Sequence, residues 1–450
     1  MDSLVIDDKL IDLFTHDISP IEITNTSGFE KIIDGIGEAR IVLMGEATHG
    51  TEDFYQTRIE LSKLLIEKKG FHAIALEGDW PSVYQMHRYI LGDEKIDNVY
   101  TALNRFKRFP TWMWGNTTIP PFLNWLRNYN HTHDSKSKVG IYGLDLYSLH
   151  DSMQAIVEYL DQQKPQLAEK AKSRYACFDH IAMDPQMYGY FVNRHLKRSC
   201  IKEVSDQLLE MQYQTLSKIK SDKLMQSEVE FYINQNARLI KNAEEYYRVM
   251  FEPRAISWNL RDNHMAQTLS NIISHIETKT NSLAKVIVWA HNSHVGDARA
   301  TEMNDRGEVN LGQIVREHYD ISSYLLGFST FDGTVLASSD WDCPPTIKKV
   351  LPALEASYEA LFHKVDIKQF YLNLRSDSHL IDLLKHARLQ RAIGVIYIPE
   401  TERLSHYLFS RLPYQFDGII HLDNTKALSA LSLSGELNDG ELPDTYPSGE

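Results

Sequence analysis

The sequence predicts an α/β protein with an open, mostly parallel sheet, helices on both faces in three α/β/α layers, and a large helical insertion. Short runs of β-branched and apolar residues recur along the chain, and most of them are apolar throughout rather than alternating. Such runs are typical of parallel strands whose two faces are covered by helices. Helical patterns lie between several runs, and one long block, from about Leu149 to Thr278, contains no comparable run.

Seven runs bounded by Gly, Asp or Pro are predicted as strands. In chain order they are Ala39 to Gly45, Phe71 to Glu77, Val139 to Asp145, Lys285 to His291, Ser323 to Ser329, Ala392 to Ile398 and Gly418 to Leu422. Helices are predicted between the early strands, at Asp53 to Lys68, Ser82 to Leu91 and Ile119 to Asn128. This alternation of strand and helix is the pattern of a doubly wound sheet.

The chain divides into four predicted parts. Residues 1–148 would form the first half of the α/β core with active-site loops, and residues 281–430 would form its second half. Between them, residues 149–280 carry apolar side chains at helical spacing beside many charges, which predicts a helical subdomain that covers one end of the sheet. Residues 431–450 form a polar tail.

Composition narrows the possible partners and the compartment. The 450 residues include 47 Lys and Arg against 61 Asp and Glu, a net charge of -14, so we expect neither nucleic acid nor an anionic membrane surface as partner. No apolar run approaches the roughly 20 residues that a membrane span needs. Three cysteines cannot build a disulfide framework or a cysteine-based zinc site, so a reduced, cytoplasmic setting is expected. The oligomeric state stays open.

Acidic and imidazole side chains follow the carboxyl ends of four predicted strands. Ligands of open α/β sheets bind at this edge, where loops and helix N-termini converge. Independent strand ends have little reason to share acid–base groups, so the coincidence predicts a site. Each residue also has a structural interpretation, such as a helix cap or a histidine bonded to nearby backbone. The residues are Glu46, His49, Glu77, Asp145, His291 and His294.

Arg58 belongs to the same candidate site. It lies about 40° from the centre of the apolar stripe that Phe54, Leu61 and Leu65 define on their helix. An inward arginine must be paired, and Glu46 and Glu77, expected at the ends of adjacent strands, are the nearest partners. The pair would keep a carboxylate ionised and place a positive charge near a developing oxyanion. Alternatively, the side chain reaches past the stripe to water.

Missing motifs narrow the chemistry. The chain has no G-x-S-x-G elbow, no phosphate-binding glycine loop and no H-E-x-x-H pair. Imidazoles and carboxylates without a protein nucleophile fit direct activation of water, with a histidine as base and a cationic group near the oxyanion. Two alternatives stay open. The same residues are acceptable ligands for a divalent metal, or the protein binds a small molecule without turning it over.

Aromatic and sulfur side chains near these strand ends are candidates for substrate binding. Two tryptophans and a methionine occur within Phe109 to Trp114, in a predicted loop. Such residues are often core, but beside an acid–base edge they suit a bulky apolar substrate. The candidate substrate-binding residues are Trp80, Trp112, Met113, Trp114, Asp145 and Tyr147.

These residues and their neighbours resemble a known family. The run GEATHGT, Gly45 to Thr51, with Arg58 downstream, is similar to the signature of the erythromycin esterase family. The resemblance continues over five further segments in the family's order. They are EGDWP (Glu77 to Pro81), FPTWMW (Phe109 to Trp114), GIYGLDLYSL (Gly140 to Leu149), SWNLRDNHMAQTL (Ser257 to Leu269) and WAHNSHVGDA (Trp289 to Ala298), and the C-terminal strands are compatible with it.

The resemblance implies an α/β/α core with added helices and the hydrolysis of a macrolide lactone ester without a metal or other cofactor. In the family's pattern His49 is the general base that activates water. Glu46, Arg58, Glu77, His291 and His294 are the charged and imidazole groups around it. The implied partner is a small molecule, a bulky macrocyclic ester.

Overall fold

The computed structural model describes residues 11, 13–14, 16–106, 108–134, 137–179, 185–222, 228–341, 343–376 and 378–431. The predicted tail therefore lies, from residue 432 onward, outside the described residues. The strands are β1 (Ile18–Pro20), β2 (Ile41–Met44), β3 (Ala73–Asp79), β4 (Gly140–Asp145), β5 (Val286–Trp289), β6 (Ser323–Ser329), β7 (Asp332–Ala337), β8 (Thr346–Val350), β9 (Gln369–Asn373), β10 (Arg388–Arg391), β11 (Tyr407–Ser410), β12 (Gly418–Leu422) and β13 (Asn424–Thr425).

The helices fall into three groups along the chain. Those before the insertion are α1 (Phe29–Ile36), α2 (Glu52–Lys69), α3 (Trp80–Leu91), α4 (Val99–Leu103) and α5 (Ile119–His131). The insertion contains α6 (Leu149–Gln163), α7 (Pro165–Tyr175), α8 (Pro185–Asn193), α9 (Ile201–Asp222), α10 (Glu228–Val249) and α11 (Arg254–Thr280). The rest are α12 (Asn292–Val295), α13 (Glu302–Asp305), α14 (Leu311–Tyr319), α15 (Tyr358–His363), α16 (His379–Leu384), α17 (Glu402–Ser405) and α18 (Leu412–Gln415).

One eight-stranded sheet organises the chain, in the order β1-β9-β12-β6-β2-β5-β3-β4. From β12 to β4 every neighbouring pair is parallel, and near the other edge β9 pairs antiparallel with both β12 and β1. This confirms the predicted mostly parallel sheet. A two-stranded sheet joins β10 to β11, and a three-stranded sheet has the order β13-β7-β8.

Both faces of the sheet are covered, as its apolar strands predict. Alternate side chains of β2 point to opposite faces, so Ile41 and Leu43 belong to one hydrophobic cluster and Val42 and Met44 to the other. The first cluster joins the sheet to the inserted helices and to α14 and α15, whereas the second joins it to α1, α2, α3 and α5. The three-layer arrangement follows from this division.

One predicted strand is wrong, and its failure is informative. The run Ala392 to Ile398 is mostly buried but joins no sheet, and it makes only isolated bridges, from Ile393 to Thr48 and from Ile396 to Ser338. A run of apolar residues indicates that the segment is buried. A segment can be buried without pairing with a neighbouring strand. The short strands β7 to β11 escaped prediction because their mixed polar sequences carry no continuous apolar run.

The inserted helices depart from one expectation, that the cysteines stay reduced. Cys177, just after α7, and Cys200, just before α9, form a disulfide, with Cα atoms 5.9 Å apart. A cysteine count reveals nothing about such proximity. None of the helices in the described part of the chain is long and apolar enough to cross a bilayer.

Candidate active site

The carboxyl ends of β2, β3, β4 and β5 lie side by side and bring the predicted charged residues into one buried cluster. Each predicted catalytic residue is linked to another by a hydrogen bond, an ion pair or a ring contact. All are almost completely shielded from solvent, at 3% exposure or less. The six are Glu46, His49, Arg58, Glu77, His291 and His294.

Glu46 connects His49 to Arg58. One carboxylate oxygen, Oε1, lies 2.9 Å from Nδ1 of His49, and the other, Oε2, accepts a hydrogen bond of 2.7 Å from Arg58. The Arg58 guanidinium lies over the rings of Tyr55 and Trp289, at 4.5 and 5.1 Å from their centroids. The predicted inward pairing of Arg58 is thus found, but with Glu46 alone.

The contact with Glu46 fixes how His49 carries its proton. A carboxylate only accepts, so Nδ1 of His49 is protonated and donates to it. The opposite nitrogen, Nε2, is buried and has no hydrogen-bond partner among the described residues. The His291 ring lies beside it, with centroids 4.8 Å apart. The lone pair of Nε2 is therefore available to take a proton, as a general base requires.

Gly45 allows this arrangement at the end of β2. A Cβ atom at that position would lie 2.0 Å from Oδ1 of Asn292. The Asn292 side chain donates to Phe328 O at 2.7 Å and accepts from Phe328 N at 3.2 Å, which ties the loop after β5 to β6. Its backbone N–H also donates to Glu46 O at 2.9 Å. Close packing at Gly45 thus holds two of the functional loops together.

Glu77 is the centre of the second half of the cluster. Its Oε1 accepts from Arg261 at 2.7 Å, and its Oε2 accepts from the backbone N–H of His291 at 2.8 Å. Burial alone would raise the pKa of Glu77, but the positive charges of His294 and Arg261 outweigh burial and hold it well below its ordinary value. Glu77 is consequently an anion in this site at neutral pH.

Two expectations about Glu77 need correction. It pairs with Arg261 of α11, not with Arg58. The reason lies in the strand order, because β5 separates β2 from β3 and keeps the ends of these strands one strand apart. The expectation of adjacent strands rested on their order along the chain, which a doubly wound sheet does not preserve.

Arg261 also holds Asp145. Its Nε and one terminal nitrogen donate to the two Asp145 oxygens at 3.1 and 2.7 Å, a two-point contact in which the guanidinium geometry matches the carboxylate. The same guanidinium lies 5.2 Å from the Tyr147 ring centroid. Asp145 accepts from the backbone N–H of Leu146 at 3.0 Å as well. One side chain of the inserted helices therefore organises the ends of both β3 and β4.

Both ring nitrogens of His294 contact charged side chains. Its Nδ1 lies 2.9 and 3.0 Å from the two oxygens of Asp262, and its Nε2 lies 3.4 Å from Oε1 of Glu77. Trp258 stacks on the ring, with centroids 4.6 Å apart and planes 6° from parallel. Burial disfavours the charged ring, yet the carboxylates of Asp262 and Glu77 outweigh it and raise the pKa of His294.

His291 is held differently. It caps the short helix α12, and its Nδ1 lies 2.8 Å from Oγ of Ser293 and accepts weakly from Ser293 N at 3.3 Å. These bonds orient the ring towards His49 rather than towards Glu77, which contacts only the His291 backbone. The two histidines of the H-x-x-H spacing therefore serve different parts of the cluster.

Arg261, Asp262 and Trp258 were not identified as site residues from the sequence. A signal for them exists: Trp258, Arg261, Asp262 and Met265 share one face of α11 at spacings of three, four and seven residues, and all four are buried. Arg261 is thus a charge within an apolar stripe, as Arg58 is on its own helix.

The predicted substrate-binding residues lie at different depths around the cluster. The Trp114 indole N–H donates to Glu77 O at 3.2 Å, and Tyr147 contacts Arg261, so both adjoin the charged groups. Trp112 packs edge-on against Phe109. Trp80 faces away from the cluster, because its indole N–H donates to Tyr232 O of α10 at 3.1 Å. A substrate-binding role for these residues, with Met113 and Asp145, stays a prediction.

A narrow cleft leads to the cluster. Its lining includes Glu77, Asp145, Arg261, Met113 and Trp114. The centre of a water molecule can move within a volume of about 20 Å³ in this cleft. That volume is enough for roughly one or two waters. No group of three or more His, Cys, Asp or Glu side chains in the described ranges is arranged to hold a metal ion.

Fold and site together define an α/β protein with buried acid–base groups at the carboxyl ends of its parallel strands. The sequence profile of the erythromycin esterase family matches residues 66–425. Because this covers most of the chain, the protein belongs to the erythromycin esterase family, which supports hydrolase as its class of enzyme. The positions Glu46, His49 and Arg58 precede the matched residues.

Relatives agree with this assignment. A Bacillus subtilis (strain 168) protein named "Putative hydrolase YbfO" is 22% identical over 424 residues, 90% of this chain and 88% of that protein. A crystal structure of a Bacillus cereus protein superposes with a TM-score of 0.75 and 20% identity, over 94% of this chain and 99% of that one. A mutant of the erythromycin esterase EreC in its open conformation gives a TM-score of 0.66 at 16% identity, over 93% and 99%. At these identities the two structures show the fold.

Proposed function

We propose that the protein hydrolyses a carboxylic ester, of the macrocyclic lactone kind found in macrolide antibiotics, with water that His49 activates and without a covalent intermediate. One observation carries the proposal. His49 donates from Nδ1 to Glu46, while Nε2 is buried beside the other site groups without a hydrogen-bond partner among the described residues. A histidine held in this tautomer is ready to remove a proton from water.

The surrounding charges suit the later steps of the reaction. Attack of water on the ester carbonyl places negative charge on its oxygen. Arg58 gives one hydrogen bond to Glu46, while its Nε and Nη1 have no hydrogen-bond partner in the described part of the chain. A guanidinium with unused donors, fixed between two aromatic rings, is suited to stabilising such an oxyanion in a site that excludes water.

The size of the cleft sets a condition on this function. A space for one or two water molecules cannot admit a macrocycle, and the six candidate catalytic residues are buried. Substrate binding therefore requires the walls of the cleft to separate. Since α11 supplies Arg261 to one wall, the inserted helices are the part of the fold whose displacement would expose the cluster.

The test is incubation of the purified protein with a panel of macrolides of different ring size, followed by mass spectrometry for the gain of one water. We expect hydrolysis, and loss of general-base catalysis in His49→Asn should lower kcat/KM by roughly 100-fold or more. His421→Asn is the matched control, since His421 is equally buried and hydrogen-bonded but lies outside the cluster. Turnover by His49→Asn at more than about a tenth of the normal rate would contradict the role of His49.

A negative result over the whole panel would remove the macrolide assignment. Simple esters then test the broader class. We expect His49-dependent hydrolysis of at least one activated ester, such as 4-nitrophenyl acetate, if the protein is an esterase for another substrate. Absence of turnover for both kinds of compound would overturn the proposed function.

A further inference from the structure

Asp262 and His294 form a second histidine–carboxylate pair beside the pair of Glu46 and His49. Asp262 is completely buried on α11, and both of its oxygens lie within 3.0 Å of Nδ1 of His294. It also accepts from the backbone N–H of Leu311 at 2.8 Å, at the start of α14. With Trp258 stacked on the ring, the orientation of His294 is fixed from three sides.

This contact decides which nitrogen of His294 exchanges a proton. Because Asp262 accepts from Nδ1–H, any proton that comes and goes must do so at Nε2. That atom lies 3.0 Å from Nη1 of Arg261 and 3.4 Å from Oε1 of Glu77. A protonated Nε2 forms an ion pair with Glu77, and a deprotonated Nε2 can accept a hydrogen bond from Arg261. Both protonation states therefore have a charged partner in place.

The charged neighbours of His294 come from several elements. Asp262 and Arg261 belong to α11, Glu77 ends β3, and His291 lies on the same short segment as His294. Arg261 is itself neutralised by Asp145 and Glu77. The two carboxylates in direct contact thus favour a positive charge on the ring, and the arginine favours its loss. An acid that must both hold and release a proton needs this balance.

We propose that Asp262 is a positioning residue of the ester hydrolysis and that Nε2 of His294 supplies the proton to the departing alcohol. The proposal rests on the proposed function. It assigns the general base to the pair of Glu46 and His49 and the general acid to the pair of Asp262 and His294. Neither the family assignment nor the relatives assign a role to Asp262.

The proton balance of the reaction is complete. His49 Nε2 takes one proton from water, and the remaining hydroxide forms a bond to the ester carbon. The tetrahedral intermediate then collapses, the bond from carbon to the alcohol oxygen breaks, and that oxygen takes the proton from His294 Nε2. The products are a carboxylic acid and an alcohol. A proton passing through solvent from His49 to His294 restores the starting state.

The choice of leaving group tests the role of Asp262, because a merely structural role would affect esters with different leaving groups equally. An alkoxide is strongly basic and departs slowly unless it is protonated, whereas 4-nitrophenolate departs readily without a proton. We therefore compare the ethyl and 4-nitrophenyl esters of the same acid with the wild-type protein, Asp262→Asn and His294→Asn. The control is Asp423→Asn, which alters an Asp in contact with two histidines outside the cluster.

In Asp262→Asn we expect kcat/KM for the ethyl ester to fall roughly 100-fold or more, and for the 4-nitrophenyl ester less than tenfold. The high-pH limb of the ethyl ester profile should also shift to lower pH, because Asn cannot favour a charged His294 as Asp does. His294→Asn should show the same selectivity, and Asp423→Asn should show neither effect. Equal losses for both esters would mean that Asp262 is structural, and would overturn the inference while leaving the hydrolase assignment intact.

A second measurement does not depend on turnover. In protein with ¹⁵N-labelled histidine, the resonances absent from His294→Asn belong to His294. We expect them to report Nδ1–H in the wild-type protein and a different tautomer distribution in Asp262→Asn. An unchanged tautomer distribution of the His294 ring in Asp262→Asn would overturn the positioning role of Asp262. If the wild-type protein cleaves neither of these esters nor any macrolide, the proposed function and the acid role of His294 both fall, and the ring resonances still decide what Asp262 does.

Discussion

Arg261 on α11 and Glu77 at the end of β3 are joined by an ion pair of 2.7 Å, although 184 residues separate them in the chain. The same arginine holds Asp145 and contacts His294, so one guanidinium is paired with two carboxylates in the buried cluster. The inserted helices thus do more than cover the sheet. They supply a charge without which the strand ends would carry uncompensated anions.

Replacing Arg261 should therefore destabilise the protein strongly. In Arg261→Met, Glu77 and Asp145 stay buried without their cation, which should cost about 3–5 kcal/mol in the free energy of unfolding. Urea denaturation followed by tryptophan fluorescence measures this. The control is Lys241→Met, which breaks a partly exposed ion pair with Glu245 on α10 and should cost about 1 kcal/mol or less. Similar losses in both variants would show that the buried network contributes no more than a surface pair.

The opposite pKa shifts of Glu77 and His294 predict a window of pH in which the cluster stabilises the fold most. The pKa of His294 is raised from 6.5, so its contribution is present below about pH 6.5 and is lost as pH rises through the folded-state pKa. The pKa of Glu77 is lowered from 4.5, so its contribution is present above about pH 4.5 and is lost on acidification. The combined contribution is greatest between these values.

The free energy of unfolding, measured at several pH values from 6.5 to 9, tests the His294 part. We expect the wild-type protein to lose stability over this range and His294→Asn to lose less. His264→Asn is the control, because burial lowers the pKa of His264 to about 4, and this ring is neutral throughout the range. Parallel curves for the wild-type protein and His294→Asn would refute the prediction.

Gly45→Ala should disturb the packing between the loops after β2 and β5. The added Cβ would meet the Asn292 amide, whose two bonds to Phe328 must then break or shift, at a cost of roughly 1–3 kcal/mol. Thermal unfolding of the variant measures the loss. In an Asn292→Ala background the clash is gone, so the added effect of Gly45→Ala should be much smaller there. Additive effects of the two substitutions would show that the clash is not the cause.

Removal of metal ions should leave ester hydrolysis unchanged, since the proposed reaction uses protein groups alone. Exhaustive dialysis against a chelator, elemental analysis of the product and an assay of the same macrolide or ester measure this. We expect kcat/KM within about twofold of the untreated value. A loss that added zinc or manganese restores would favour the alternative in which the same imidazoles and carboxylates bind a metal.

Much of the fold could be predicted because it depends on short stretches of sequence. The runs in β2 and β5 are apolar at every position, and a strand with two buried faces requires this pattern wherever it lies in the sheet. Strand order has no such local signature. Sequence reasoning therefore placed β2 beside β3, whereas the structure inserts β5 between them.

The candidate site divides in the same way. The meeting of Glu46, Glu77 and His294 at one sheet edge could be predicted, because the carboxyl ends of parallel strands share that edge and the polar residues that follow each strand can be read from its own segment. The contribution of Arg261 and Asp262 to the cluster became evident in the folded structure alone. They lie on an inserted helix, and which face of that helix meets which strand ends depends on packing between elements distant in the chain, which no spacing within one segment encodes.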